Sequence, residues 1–182
     1  YDDEAPLAVG NFVYRANNGY YQQTIIHNYK KTPDEGLFIE SGKYVNDTKY
    51  ELKEKFKLEE DMKYTIKKDS NSSDLLLTQK YYLSTYITSF NGRASSEFRI
   101  CLKESNMTNS SNSIYGVVFG YPYDKQTEDN LDQLSEQISS NQSLYNGNNT
   151  PSNYIKIIDI EIFTDKDYWK NFDYKKEWTQ DQ

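Results

Sequence analysis

Apolar and polar residues alternate at every second position through much of this chain, and this rhythm constrains its fold more than any other feature. The alternation runs through residues 82–90, and it resumes in residues 98–102 after the dipeptide Asn91-Gly92. Successive side chains of a β-strand point to opposite faces, so a period of two predicts strands. An Asn-Gly dipeptide between two such runs predicts a tight hairpin turn.

Similar short runs recur along the chain and are separated by turn-forming residues. They occupy residues 20–29, 37–45, 49–58, 62–66, 114–120 and 154–163. Eight or more short strands without an internal repeat are typical of an antiparallel β-sandwich or barrel. The length of 182 residues suits one domain, so we predict a single all-β domain over residues 1–182.

One segment departs from the alternation. In residues 127–140, Leu131, Leu134 and Ile138 are spaced three and four apart, as on one face of a helix. Thr127 is a candidate N-cap, and Glu128 follows in the first turn, where the helix dipole favours an acid. The sequence therefore predicts one short helix near residues 127–140 in an otherwise all-β fold.

The two ends of the chain are interpreted as extensions of this domain. Residues 1–14 form a predicted N-terminal arm, and residues 164–182 form a tail that contains Trp169 and Trp178. Large aromatic rings are seldom left in water, so we expect the tail to dock on its own domain or on a neighbour. An arm or tail that pairs with the sheet edge of the next subunit builds a filament.

Composition and sequons favour a secreted protein. The net charge of −7 argues against nucleic acid as a partner, because an acidic chain repels phosphates. No apolar run is long enough to span a bilayer. The first residue is Tyr rather than Met, which suggests a removed signal peptide and an extracellular location. Six candidate N-glycosylation sites lie in polar, turn-rich segments, at Asn46, Asn71, Asn106, Asn109, Asn141 and Asn148.

No residue pattern points to an enzyme or to a metal centre. His27 is the sole histidine and Cys101 the sole cysteine, so neither a usual zinc site nor an internal disulfide is expected. The chain has 28 acidic residues, but no two of them stand out as a catalytic pair. Asp159, within a run of isoleucines, is expected to face solvent, with a structural calcium site as the alternative. We therefore predict no cofactor and no catalysis.

Several aromatic residues are candidates for contact with a sugar or with another subunit. Tyrosine and tryptophan supply rigid, amphipathic contact area, and packing in the protein's own core is the alternative role. The candidates are Tyr20, Tyr21, Tyr121, Tyr123, Trp169 and Trp178.

Three segments together resemble the jelly-roll β-sandwich of carbohydrate-binding modules, which is similar to the galactose-binding-like fold. Residues 50–66 resemble its strand, acidic turn and strand; residues 82–90 with 98–102 resemble its central hairpin; and residues 155–162 resemble its closing strand. The resemblance implies a jelly roll, sugar binding through exposed aromatics and, in some members, a structural calcium ion.

Two functions follow from this interpretation. The first is a non-catalytic structural or adhesive glycoprotein, a subunit of an extracellular homo-polymer or of a mixed assembly. The second is a carbohydrate-binding or lectin-like domain with glycans as its ligands.

Overall fold

The structure is a computed structural model that describes residues 1–32, 36–46, 52–54, 66–67, 69, 80–87, 93–103, 116–140 and 155–164. The described helices are α1 (Pro6–Asn17) and α2 (Lys125–Ser140). The described strands are β1 (Asn28–Thr32), β2 (Gly36–Ser41), β3 (Tyr44–Asn46), β4 (Leu52–Glu54), β5 (Ile66–Lys67), β6 (Leu83–Ile87), β7 (Arg93–Lys103) and β8 (Val118–Gly120).

The long strand β7 organises the main sheet. The strand order is β1-β2-β7-β6-β8, β5 pairs with the start of β7, and every described pairing is antiparallel. Strands β3 and β4 form a separate two-stranded sheet. Because β7 is 11 residues long, it pairs with three other strands and is the element on which the sheet depends.

Both described helices pack on the same face of the main sheet. From β7, Phe98 packs against the α1 side of the core, and Ile100 and Leu102 pack with Leu131, Leu134 and Ile138 of α2. These three β7 residues alternate with polar residues, so the apolar side of the strand faces the helices. One apolar sheet face is therefore covered by helices, and the other face carries the polar members of the alternation.

Helix α1 forms where the sequence analysis expected an arm. Pro6 lies in its first turn, where a missing N–H does no harm, and Ala8, Val9, Val13 and Ala16 are buried at helical spacing. The first-turn N–H groups of Leu7 and Ala8 donate to the Asp69 carboxylate at 2.8 and 3.1 Å. A residue distant in sequence thus caps this helix, which is why no local capping signal marks its start.

Helix α2 covers the segment in which the sequence predicted a helix, but Asp124 caps it rather than Thr127. The Asp124 Oδ1 atom accepts hydrogen bonds from the Thr127 N–H and the Thr127 hydroxyl, both at 2.8 Å. These two bonds lower the pKa of Asp124 below its ordinary value. At the sheet, Asp132 of α2 accepts bonds from the Tyr81 hydroxyl at 2.9 and 3.0 Å and pairs with Lys80 at 2.8 Å.

The predicted all-β jelly-roll sandwich with a single helix is wrong. Two helices are present among the described residues, and they take the place of the second sheet in covering the apolar face. Alternation reports only that one face of a strand is buried, and either a sheet or a helix can bury it. Neither helix in the described part of the chain is long and apolar enough to cross a membrane.

Several strand predictions also need correction. Residues 20–23 form a turn, Thr24 and Ile25 make isolated bridges, and residues 155–164 make one bridge, through Lys156. Most of segments 49–58 and 62–66, the Asn91-Gly92 turn, and residues 165–182 of the tail lie outside the described residues.

Candidate functional site: a buried charged cluster on the sheet

Polar residues line up across four strands on the sheet face opposite the helices. Asn28 of β1 is opposite Glu40 of β2, Glu40 is opposite Arg99 of β7, and Arg99 is opposite Ser84 of β6. Residues directly opposite each other in neighbouring strands lie on the same face, so these side chains form one row. Asn28 is half-buried, whereas the other three are buried.

Glu40 and Arg99 form a buried ion pair at the centre of the row. The Arg99 Nε and Nη2 atoms lie 2.7 and 2.5 Å from Glu40 Oε1. The exposed fractions are 4% for Glu40 and 6% for Arg99. The guanidinium carbon of Arg99 also lies 4.3 Å from the Tyr86 ring centre and 5.8 Å from that of Phe38. Aromatic faces attract a cation, so these rings and Glu40 together fix the orientation of Arg99.

Glu40 also orients the amide of Asn28. The Asn28 Nδ2 atom donates to Glu40 Oε2 at 2.8 Å, so the two carboxylate oxygens hold different partners. One oxygen accepts from the buried cation and the other from a half-buried amide at the end of the row. The Asn28 side chain is therefore held in place by two successive buried groups.

A histidine–carboxylate pair borders this row. His27 Nε2 lies 2.7 Å from Glu97 Oε1 and 3.9 Å from Glu40 Oε2, and its ring contacts Tyr44 at 4.6 Å between centroids. The His27 side chain is 8% exposed and that of Glu97 is 7% exposed. Among the described residues, the buried Nδ1 atom of His27 has no hydrogen-bond partner. One ring nitrogen of His27 is therefore engaged by a carboxylate, and the other is unpaired among the described residues.

The charges of this cluster, which we define as His27, Glu40, Glu97 and Arg99, do not sum to zero. Two carboxylates face one guanidinium, so the formal charge is −1 when the imidazole is neutral. Buried charges are stable only when they are paired and hydrogen-bonded. The cluster therefore favours any further positive charge that reaches it.

The aromatic candidates do not converge on this cluster. Tyr21 is 2% exposed and packs against Phe12 and Phe98 at 5.0 and 5.3 Å, so it belongs to the core. Tyr20 is half-buried under the Arg15 guanidinium. Tyr121 and Tyr123, just after β8, are 62% and 93% exposed. Trp169 and Trp178 lie outside the described residues.

Tyr121 forms part of an aromatic group at one edge of the sheet. Its ring lies 5.0 Å from that of Tyr1, and the Tyr1 hydroxyl donates to the Tyr82 hydroxyl at 3.3 Å. Burial and this bond raise the pKa of Tyr1 to about 12. Tyr1 thus packs against Tyr121 and is hydrogen-bonded to Tyr82.

The described part of the chain includes one of the six candidate sequon asparagines, together with Asp159 and Cys101. Asn46 ends β3, and the other five sequon asparagines lie outside the described residues: Asn71, Asn106, Asn109, Asn141 and Asn148. Asp159 is exposed, and its Oδ1 atom accepts from Gln22 Nε2 and from the Ile160 N–H. Cys101 is a buried thiol that donates a hydrogen bond to the Lys103 carbonyl oxygen at 3.1 Å. Glycosylation and an extracellular location stay predictions.

Comparison with solved structures identifies the fold. Two structures of a Cryptosporidium parvum cyclophilin-type peptidyl-prolyl cis-trans isomerase, each 20% identical, are similar over most of both chains. One, determined in the presence of the dipeptide Ala-Pro, matches with a TM-score of 0.56 over 90% of this chain and 89% of that one. The other matches with a TM-score of 0.52 over 91% and 89%. This likeness defines a cyclophilin fold. No curated protein matches the sequence.

The family follows from the sequence itself. The profile described as "Cyclophilin type peptidyl-prolyl cis-trans isomerase/CLD" matches residues 1–162. This chain belongs to the cyclophilin-type peptidyl-prolyl isomerase family. The description of the family names no cofactor.

This finding overturns several predictions. The resemblance to carbohydrate-binding modules was wrong, because residues 50–66, 82–102 and 155–162 lie within a cyclophilin match. The predictions of a structural glycoprotein or lectin, of no enzymatic activity, and of homo-polymeric, extracellular or glycan partners are wrong for the same reason, since the family is one of isomerases.

No local pattern in the sequence predicted the charged cluster. His27 and Glu97 are 70 residues apart, and Glu40 and Arg99 are 59 apart, so no local motif joins them. One signal was present: Glu97 and Arg99 occupy the polar positions of an alternating strand, where opposite charges are two residues apart. Alternation by itself does not show whether such polar positions are buried or exposed.

Proposed function

We propose that this chain is a peptidyl-prolyl cis-trans isomerase whose site is the polar face of the main sheet, beside the charged cluster. The match to the isomerase family over residues 1–162 is the observation that carries this proposal. A second support is the fold likeness to a protein whose structure was determined in the presence of Ala-Pro, a dipeptide that ends in proline.

Isomerisation of a prolyl bond requires no covalent chemistry from the protein. No bond forms or breaks; the amide rotates over a barrier of about 20 kcal/mol, and without catalysis the exchange takes tens to hundreds of seconds. Catalysis requires tighter binding of the twisted amide than of either planar form. Fixed hydrogen-bond donors beside an apolar surface can supply this difference, and no nucleophile is needed.

Asn28 is the candidate donor on this face. Its amide is half-buried, so it reaches the surface, and Glu40 holds it at 2.8 Å. Glu40 is held in turn by the buried Arg99, which makes both of them positioning residues. Tyr44, also half-buried, lies against the neighbouring His27 and offers an aromatic surface for a prolyl ring.

The test is catalysed exchange of a short Ala-Pro peptide, followed by exchange spectroscopy in NMR. The wild-type chain should accelerate exchange between the cis and trans signals. Asn28→Ala should lower kcat/KM by about tenfold to a hundredfold, because one fixed donor is lost. Asn130→Ala, on the exposed surface of α2, is the matched control and should leave the rate unchanged.

A second candidate is a prolyl-peptide-binding domain that does not catalyse. The favouring observation is that Arg99, the cation of the cluster, is 6% exposed and already paired with Glu40, so the strongest donor on the face is engaged. In the same experiment, changes in the chemical shifts of the peptide without faster cis-trans exchange would support binding without catalysis. The absence of both shifts and exchange over a range of X-Pro peptides would refute both functions.

A further inference from the structure

We propose that the charged cluster is a binding site for one divalent transition-metal ion of the zinc class, held by His27, Glu97 and Glu40. This site is separate from the proposed isomerase activity, because rotation about a prolyl amide needs no metal. Imidazole nitrogen with carboxylate oxygen is a donor set that suits zinc, whereas calcium and magnesium prefer oxygen alone.

The first support is geometric. A ring nitrogen of His27 and one oxygen each of Glu40 and Glu97 all lie within 4.8 Å of one another. The two nitrogen–oxygen distances are 2.7 and 3.9 Å, on either side of the separation of about 3.3 Å between ligands of a tetrahedral zinc ion. Small side-chain rotations would bring the three atoms to a common centre.

The second support is the buried charge. Exposed acids gather at many surfaces without a metal, but the side chains of Glu40 and Glu97 are only 5% and 7% exposed. When the imidazole is neutral, these two carboxylates and Arg99 carry a formal charge of −1. Two buried carboxylates that share one guanidinium attract a cation to this position.

The third support is the hydrogen bonding around the ligands. Arg99 Nε donates to Oε1 of Glu40, while Oε2 accepts from Asn28 Nδ2 and lies 3.9 Å from His27 Nε2. Arg99 thus fixes the orientation of the Glu40 carboxylate through Oε1, in the same way that residues hydrogen-bonded to metal ligands orient those ligands.

His27 is the only histidine of the chain, which allows a direct test without mutagenesis. The full chain, without a polyhistidine tag and stripped with a chelator, would be titrated with Zn²⁺ while the imidazole signals are followed by NMR. We expect these signals to shift and to saturate at one equivalent. Imidazole signals that do not respond to millimolar Zn²⁺ would overturn the proposal.

Variants of Glu97 and His27 test whether these two residues are ligands of the metal ion. Co²⁺ titration of the wild-type chain should give visible absorption bands of a site with nitrogen and oxygen ligands. Glu97→Gln and His27→Gln, both close in size to the original residues, should weaken binding by at least about tenfold. Glu136→Gln and Asp159→Asn remove exposed acids elsewhere and should have no effect.

The outcomes separate the two proposals. Binding that persists in both cluster variants but falls in the surface variants would refute the site, even if prolyl isomerisation is intact. If a cluster variant does not fold, the wild-type imidazole titration decides alone. Loss of isomerisation in Asn28→Ala with normal Zn²⁺ binding would leave the metal site standing.

Discussion

Removing either partner of the Glu40–Arg99 pair should destabilise the protein, and the two removals should differ in a defined order. Breaking a buried ion pair from one side costs about 3–5 kcal/mol, because the remaining charge stays buried. With a neutral imidazole, the formal charge of the cluster is −1 in the wild type, 0 in Glu40→Met and −2 in Arg99→Met. We therefore expect both variants to fall in this range, with Arg99→Met the worse, since it leaves two carboxylates facing each other.

The assay is reversible unfolding in urea and on heating, followed by circular dichroism. A change of 1 kcal/mol shifts Tm by about 2–4 °C in a chain of this size, so shifts of about 6–20 °C are expected. The double variant restores the cluster charge to −1 and should be more stable than the sum of the single effects predicts. Glu136→Gln on exposed α2 is the control and should change stability by less than about 0.5 kcal/mol.

Two results would refute this reasoning. A loss of less than about 1 kcal/mol in Glu40→Met would mean that the pair contributes no more than a surface ion pair. A larger loss in Glu40→Met than in Arg99→Met would mean that the excess negative charge of the cluster is compensated in the folded protein.

Three further outcomes are expected. Gly116→Ala should lower the free energy of unfolding in urea by at least about 2 kcal/mol. The φ of Gly116 is +147°, and an added Cβ would lie 1.9 Å from the Thr85 carbonyl oxygen. A variant as stable as the wild type would contradict this. Asp69→Ala should cost about 1–2 kcal/mol and increase hydrogen exchange at the start of α1, since two N–H groups lose their acceptor; unchanged exchange there would show that the cap is dispensable. Hydrogen bonds from Lys80 and Tyr81 lower the pKa of Asp132, so its stabilising effect is present above the ordinary value of 3.8 and is lost as the pH falls through the lowered value. In urea unfolding between pH 5 and 2, the Asp132→Asn variant should therefore lose less stability on acidification than the wild type. An identical pH profile for the two proteins would contradict a stabilising role of these hydrogen bonds.

The strands could be predicted in part because alternation is a local property. Residues 98–102 alternate and lie within β7, and Leu131, Leu134 and Ile138 show the helical spacing of α2. The architecture could not be predicted in the same way. Helix α1 buries small residues such as Ala8 and Ala16, which give a weak pattern, and its cap comes from Asp69, some sixty residues later. The helix that covers this part of the apolar sheet face could therefore not be predicted from local sequence patterns.

The site was harder still, because each of its polar residues has an ordinary local explanation. Glu97 and Arg99 suit the solvent side of a strand, and His27 suits a strand residue with a nearby hydrogen bond. Only the register of β2 with β7, Glu40 opposite Arg99, turns these separate residues into a buried group. That register depends on pairing across a long stretch of chain, which no short motif encodes.

The central place of β7 has a consequence for how the protein is made. Strands β2, β5 and β6 all pair with β7, so the main sheet is incomplete until residues 93–103 have left the ribosome. Until then Glu40 has no guanidinium beside it, and the nascent chain exposes strand edges that are prone to wrong pairing. Synthesis of this one strand therefore supplies the central strand of the sheet and the guanidinium of the charged cluster in the same step.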